Sequence, residues 1–241
     1  MIKKNKIIFA TVAKELLDED NVMPKPQRLF IPKWFKNVKS VDSGEKFKYI
    51  SKAKNVRRCP SFVEVWDEGY VIKAPTDYLI KVNEDTSYSW KTAYSFNKHQ
   101  SVEDVEEHYN VQMLDFYPDK DFKKILKLQL PFRVYTPKGV SCRQMPLLFQ
   151  DTKNNQWEVP QGIVRTDKVH EINIQLMIKT FDEIIIKKGT PLCVYAPFIR
   201  QKFKHKNIFL GDNKKYISLD NKNYLKMFSG FKSNAKWYWE D

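Results

Sequence analysis

Few side chains in this sequence stand where their type and spacing point to chemistry. Four histidines, His99, His108, His170 and His205, match no HxxxH or HExxH pair, so no two share a helix face from which to grip zinc, and no metal site is expected. Three cysteines, Cys59, Cys142 and Cys193, form no CxxC pair and leave an odd thiol, the usage of a reducing compartment rather than of a disulfide framework. Cys142 and Cys193 lie in apolar runs and read as small core residues. No serine or cysteine carries the local signature of an activated nucleophile. With seven glycines and neither GxGxxG nor GxxxxGK[ST], no nucleotide cofactor of the Rossmann or P-loop kind is expected. What remains is cationic. Arg143, Arg165 and Lys168, with Asp167 among them, are candidates for an anion or ligand site, against the plainer reading of surface charges on turns. His99 joins them as a candidate because it directly precedes a helix expected from Ser101. There the positive end of the helix dipole and an imidazole would face one anion together.

The elements that must position these groups divide the 241 residues by charge. The formal net charge is +13, with +9 on residues 1–60, +5 on residues 201–241 and −1 on the 140 residues between. Basic ends flanking a neutral body suit arms that grip an acidic partner, and equally suit a lysine-rich solvated surface. The first arm contains MPKPQRLFIPKWFKNV, in which Pro24, Pro26 and Pro32 predict an extended strap, and Phe30, Trp34 and Phe35 are its anchors. They pack either on their own domain or on a partner. The second ends in KNYLKMFSGFKSNAKWYWED, whose Phe228, Phe231, Trp237 and Trp239 interleave with lysines. Such a tail either stacks on bases or docks in a groove of another chain. The apolar runs Ile7–Val12 and Ile184–Ile186 fall far short of the ~20 residues of a membrane span. Glu15, Asp18, Glu19 and Asp20 interrupt the N-terminal patch before any cleavage site, so neither membrane insertion nor a signal peptide is expected.

From Phe62 onward the runs FVEVW, GYVIKAP, DYLIKVNED and SYSWKTAYSF alternate strand formers with turn residues, at the spacing of a sandwich or barrel. One short helix is expected at about 101–109, with Ser101 as its cap and Glu103 and Asp104 in its first turn. Beyond it ILKLQLPFRVY, VSCRQM, GIV, EINIQLMI, EIII and PLCVYAPFI again read as strands. Lys187, Lys188, Gly189 and Thr190 form a tight connection between the last two. The expected architecture is therefore mainly β: a basic arm over 1–58, a β-rich domain over 59–203 and a basic aromatic tail over 204–241.

VPQGIVRTDKVHEINIQLMIKTFDEIIIKKGTPLCVYAPF, from Val159 to Phe198, resembles the third and fourth motifs of the dUTPase and dCTP-deaminase superfamily. Gly162, Ile163 and Val164 open a G-[VI]-[VI]-D-x-x-Y hairpin, and Lys188, Gly189, Thr190, Pro191 and Leu192 follow a K-K-G-[DT]-x-[IL] segment. VYTPKGVSCRQMPLL sits where that superfamily has its phosphate-binding P-R-S-S-L motif. The order of CPSF, GYVI, WKTAYSFNKHQSVEDV, TPKGVSC, QGIVRTD and KGTPL over residues 24–203 also resembles a family of uncharacterised phage and bacterial proteins of similar length. These resemblances imply a β-clip type of fold. Where the nucleotide enzymes place a water-activating carboxylate and a ring under the deoxyribose, this chain has Arg165 and Lys168, with Asp167 displaced by two positions. A cation is no general base for water at neutral pH.

The resulting expectation is a non-enzymatic phage-type structural or assembly protein. It would dock through its arms onto other phage structural proteins or onto itself, in the host cytoplasm during assembly or in the virion. The alternatives are a binder or hydrolase of a phosphorylated small molecule near His99, Arg143, Arg165 and Asp167, and a nucleic-acid-binding accessory protein.

Overall fold

The structure is a computed structural model that describes residues 6–38, 60–108, 122–147, 156–212 and 214–220. Alternating apolar residues between turn formers make the strands. In chain order these are β1 Ile8–Thr11, β2 Lys25–Pro26, β3 Tyr70–Lys73, β4 Tyr78–Val82, β5 Tyr88–Thr92, β6 Val105–Glu107 and β7 Lys124–Tyr135. They continue with β8 Val140–Met145, β9 Trp157–Glu158, β10 Gly162–Val164, β11 Glu171–Ile178, β12 Ile184–Ile186 and β13 Pro191–Ile199. The short helices α1 Lys33–Asn37, α2 Pro60–Asp67 and α3 Asn97–Gln100 and a few 3-10 turns lie between the strands. The protein is mainly β and sandwich-like.

The chain divides into two compact units, Met1–Lys36 with Trp66–Arg200, and Asn37–Val65 with Gln201–Asp241. All three sheets belong to the first. The longest strand, β7, pairs with β11 along one side and with β1 and β6 end to end along the other, and β9 adds to β11. The second sheet runs β10-β8-β13-β3-β2 and the third β12-β4-β5, every pairing antiparallel. Period-2 spacing turns Leu126, Leu128, Leu130, Phe132 and Val134 of β7 to one side, in one core with Ile172, Ile174, Leu176 and Ile178 of β11. Ile72, Cys142, Cys193 and Tyr195 of the second sheet and Tyr78, Ile80, Ile184 and Ile186 of the third close the same core. Burial pushes the Cys142 thiol up to about 11 and that of Cys193 well above its usual value, as inert core cysteines require. In the second unit the described residues include a 3-10 turn at Leu210–Asp212 and a helical stretch at 214–220.

Several local expectations are corrected. The helix expected at 101–109 is absent: Ser101 is instead the left-handed C-cap of α3, at φ 57°, and Val105–Glu107 forms β6 against Leu126–Leu128. Asp104, fully buried, accepts the backbone N–H of Phe96 at 2.9 Å instead of lying in the first turn of that helix. Burying Val105 in the core and pairing its backbone outweighs a cap signal of about 1 kcal/mol. FVEVW, expected as a strand, belongs to α2, where Pro60 takes the first helical position with its φ already suited. The expected strap over Met23–Val38 is extended only at β2; a 3-10 turn at Gln27–Phe30 follows, and α1 starts directly after Pro32. Residues Ile8–Thr11, within the expected basic arm, are a strand of the main sheet.

Two glycines are dictated by geometry. Gly189 turns the chain between β12 and β13 at φ +83°, its N–H donating to the Ala74 carbonyl at 2.8 Å. At Gly69 a Cβ would collide with the Val194 side chain and stand 3.1 Å from the Tyr195 carbonyl oxygen. Gly69→Ala is expected to destabilise the protein by about 1–3 kcal/mol; an unchanged thermal midpoint would contradict this packing.

Candidate functional site

Four of the five candidate ligand-site residues sit around the paired strands β8 and β10. Register pairs Arg143 with Ile163 on one side and with Ala196 of β13 on the other. Arg143 is exposed and its guanidinium lies 5.7 Å from the Phe198 ring centroid. After β10 the chain turns on the Arg165 carbonyl, which accepts the N–H groups of Lys168 and Val169, both at 2.8 Å. That turn leaves the Arg165 and Lys168 side chains exposed.

The same turn aims Asp167 the other way. Its side chain, 4% exposed, takes both terminal nitrogens of Arg200 at 2.7 and 2.5 Å and the N–H of Gly139 at 2.9 Å. Arg200 also donates to Ser141 Oγ at 2.6 Å and to the Val140 carbonyl at 3.1 Å. One carboxylate thus ties the β7–β8 turn, the β10–β11 turn and the end of β13 together. The Arg200 hydrogen bonds hold its carboxyl well below the usual carboxylate range; burial opposes them and the Gly139 N–H assists. With its lone pairs so occupied, Asp167 is a structural anchor, not a free base. Sequence reasoning selected Asp167 and missed Arg200, whose partner lies 33 residues away and leaves no local signal.

His99 does not join this group. It is the third residue of α3, so it does not face the positive end of a helix as expected. Its Nε2 lies 3.6 Å from Glu15 Oε1, an oxygen that also accepts the Tyr94 hydroxyl at 2.7 Å. Glu15 and Tyr94 line a cleft of about 330 Å³ with Glu19, Thr76, Asp77, Phe96 and Lys188. Lys188 pairs with Glu19, and its backbone N–H donates to Asp77 Oδ1 at 2.7 Å, while Lys187 Nζ reaches Asp77 Oδ2 at 3.1 Å. These bonds depress the Asp77 carboxyl, the Lys188 N–H most. The Glu15 carboxyl is lowered first by its own backbone N–H, next by Tyr94, and by the charges of His99 and Lys98. Each carboxylate of the cleft already has a donor, and of its lining the sequence singled out only Lys188, in the Lys187–Thr190 turn. In Tyr94→Phe the Glu15 midpoint is expected to rise toward its ordinary value of about 4.3. A carboxyl-detected NMR titration in which that midpoint stays put would remove the bond.

The candidate docking aromatics divide. Phe35 is buried, with its ring 5.9 Å from Trp66 and 5.7 Å from Trp34, whereas Trp34 is 52% exposed. Phe30 is half-buried under the Lys73 ammonium, 5.5 Å from the ring centroid. Phe228, Phe231, Trp237 and Trp239 lie outside the described residues. His170 is held in the fold, its Nδ1 3.2 Å from the carbonyls of both Val134 and Thr166 and its ring 4.4 Å from Tyr135. Among the described residues no group of His, Cys, Asp or Glu is arranged to hold a metal, and no helix is long and apolar enough to cross a membrane.

No protein-family model matches the chain, and no curated protein is significantly similar to it.

Proposed function

We propose that this chain is a non-enzymatic binding or assembly protein, of the phage type suggested by its order of motifs, presenting a cationic and apolar surface to other proteins. The observation that carries this reading is the state of Asp167. The one carboxylate of the hairpin that would activate water is bound on both oxygens by Arg200 and Gly139, and a base must have a lone pair directed at the reacting proton. Around it Arg143, Arg165 and Lys168 face solvent, a surface suited to association with an acidic partner. A second reading, small-ligand binding, has the Glu15–Asp77–Lys188 cleft in its favour, since its volume falls at the lower end of ligand pockets.

The test has two arms. Incubated with dUTP or dCTP, the full chain is expected to release neither diphosphate nor ammonia. Particles purified from the cells that encode the chain are expected to carry it in stoichiometric amount by mass spectrometry. Turnover that disappears in Arg165→Ala, or absence of the chain from particles, would overturn the assembly reading.

A further inference from the structure

We propose that the outer edge of β10, with Arg143, Arg165 and Lys168 around it, receives an extended acidic segment of another protein that adds to the sheet as a further strand. This inference rests on the binding-protein reading and names the chemistry of its partner. β10 ends the five-stranded sheet, and among the described residues no strand covers its outer edge. Among the described residues both faces of the strand are uncovered there as well: a Cβ built on Gly162 meets nothing within 4 Å, and Ile163 is 64% exposed. An uncovered strand edge offers backbone donors and acceptors in the register of the sheet, which is the template used in strand addition.

Charge decides what sits there. Lys138, Arg143, Arg165 and Lys168 are exposed on β8, β10 and the turns that flank them. The only carboxylate among the described residues of those elements, Asp167, is consumed by Arg200. A second copy of this edge would bring like charges face to face, which cross-strand pairing disfavours. An added strand sends alternate side chains to the face that carries Ile163 and Arg143. The segment that fits therefore carries, at every second position and so on that one face, both apolar residues to cover Ile163 and carboxylates to meet Arg143 and the cations beside it. A nucleic acid would satisfy the cations but would use neither the backbone edge nor Ile163.

The probe is a short fluorescent Glu-Val peptide, in which Glu and Val take turns at every second position with Thr between so that both fall on one face, followed by anisotropy against the full chain, beside its Lys-Val counterpart and an oligothymidylate. The Glu-Val peptide is expected to bind, more weakly as salt rises, and the Lys-Val peptide is not. Affinity should fall about tenfold in Ile163→Asp and in Arg143→Glu/Arg165→Glu. N-methylation of alternate residues along one edge of the peptide should abolish binding, and along the other edge should spare it, because only one edge pairs with β10. No binding at about 1 mM peptide, equal binding of both methylated peptides, or equal retention of oligothymidylate with no effect of Ile163→Asp would each overturn the proposal. Turnover of dUTP or dCTP would sink the non-enzymatic reading and leave the peptide result standing. Failure of the peptide on a chain that turns over neither nucleotide sinks the docking site alone.

Discussion

Phe132→Ala is expected to remove about 3–5 kcal/mol of stability, the cost of deleting a buried ring and keeping the cavity. Phe132 is fully buried in β7, where it is paired with Thr11 of β1 and lies beside the irregular register of β11 between Glu171 and Asn173. A strand hydrogen-bonded on both sides has little freedom to collapse into the void, which places the cost toward the upper part of that range. Against a total of about 5–15 kcal/mol for an ordinary domain, the loss would leave a large unfolded fraction on mild warming. Urea unfolding followed by tryptophan fluorescence measures it. Lys91→Ala, on an exposed position of β5, serves as the control and is expected to stay within about 0.5 kcal/mol. A Phe132→Ala loss no larger than the control's would show that β7 is not the centre of the core.

Asp167→Asn carries the second large effect. The substitution keeps the shape of the side chain but exchanges charge-assisted bonds for neutral ones, and it leaves the Arg200 guanidinium to Ser141 and the Val140 carbonyl. Since Arg200 is partly exposed and able to regain water, the expected cost at neutral pH is about 1–2 kcal/mol. Its pH dependence identifies the cause. The folded carboxyl is depressed, so its contribution is complete above the unfolded value of about 3.9 and is lost as pH falls below that toward the folded value. The gap between the natural chain and Asp167→Asn is therefore expected to close as pH falls from 4 toward 2, by at most about 1.4 kcal/mol per unit. A gap that stays constant over that range would mean that the side chain acts by shape rather than by charge. Loss of a catalytic turnover with stability unchanged would return Asp167 to the role of a base.

Legibility in the sequence follows the range of the interaction. KILKLQLPFRVY and EINIQLMI announce β7 and β11 because a period of two is written into the chain, and the structure places their apolar residues in one core. The Lys187–Thr190 turn was legible because Gly189 needs a positive φ. SVEDVEEHY misled because its cap signal is local and weak, whereas the pairing of Val105–Glu107 with β7 draws on residues about twenty positions away. FVEVW misled for another reason: a five-residue apolar run fits a strand and a helix equally well.

The candidate site shows the same division. The residue types alone mark the chain as basic and mainly β, with the cations Arg165 and Lys168 just after the strand former Val164. Only the tertiary structure decided that Asp167 is locked to Arg200, that His99 meets Glu15 instead, and that β10 stands at the edge of its sheet among the described residues. The physical reason is that side-chain periodicity and turn preferences act between near neighbours along the chain. Which carboxylate meets which cation depends on how strands from distant parts of the chain are laid beside one another.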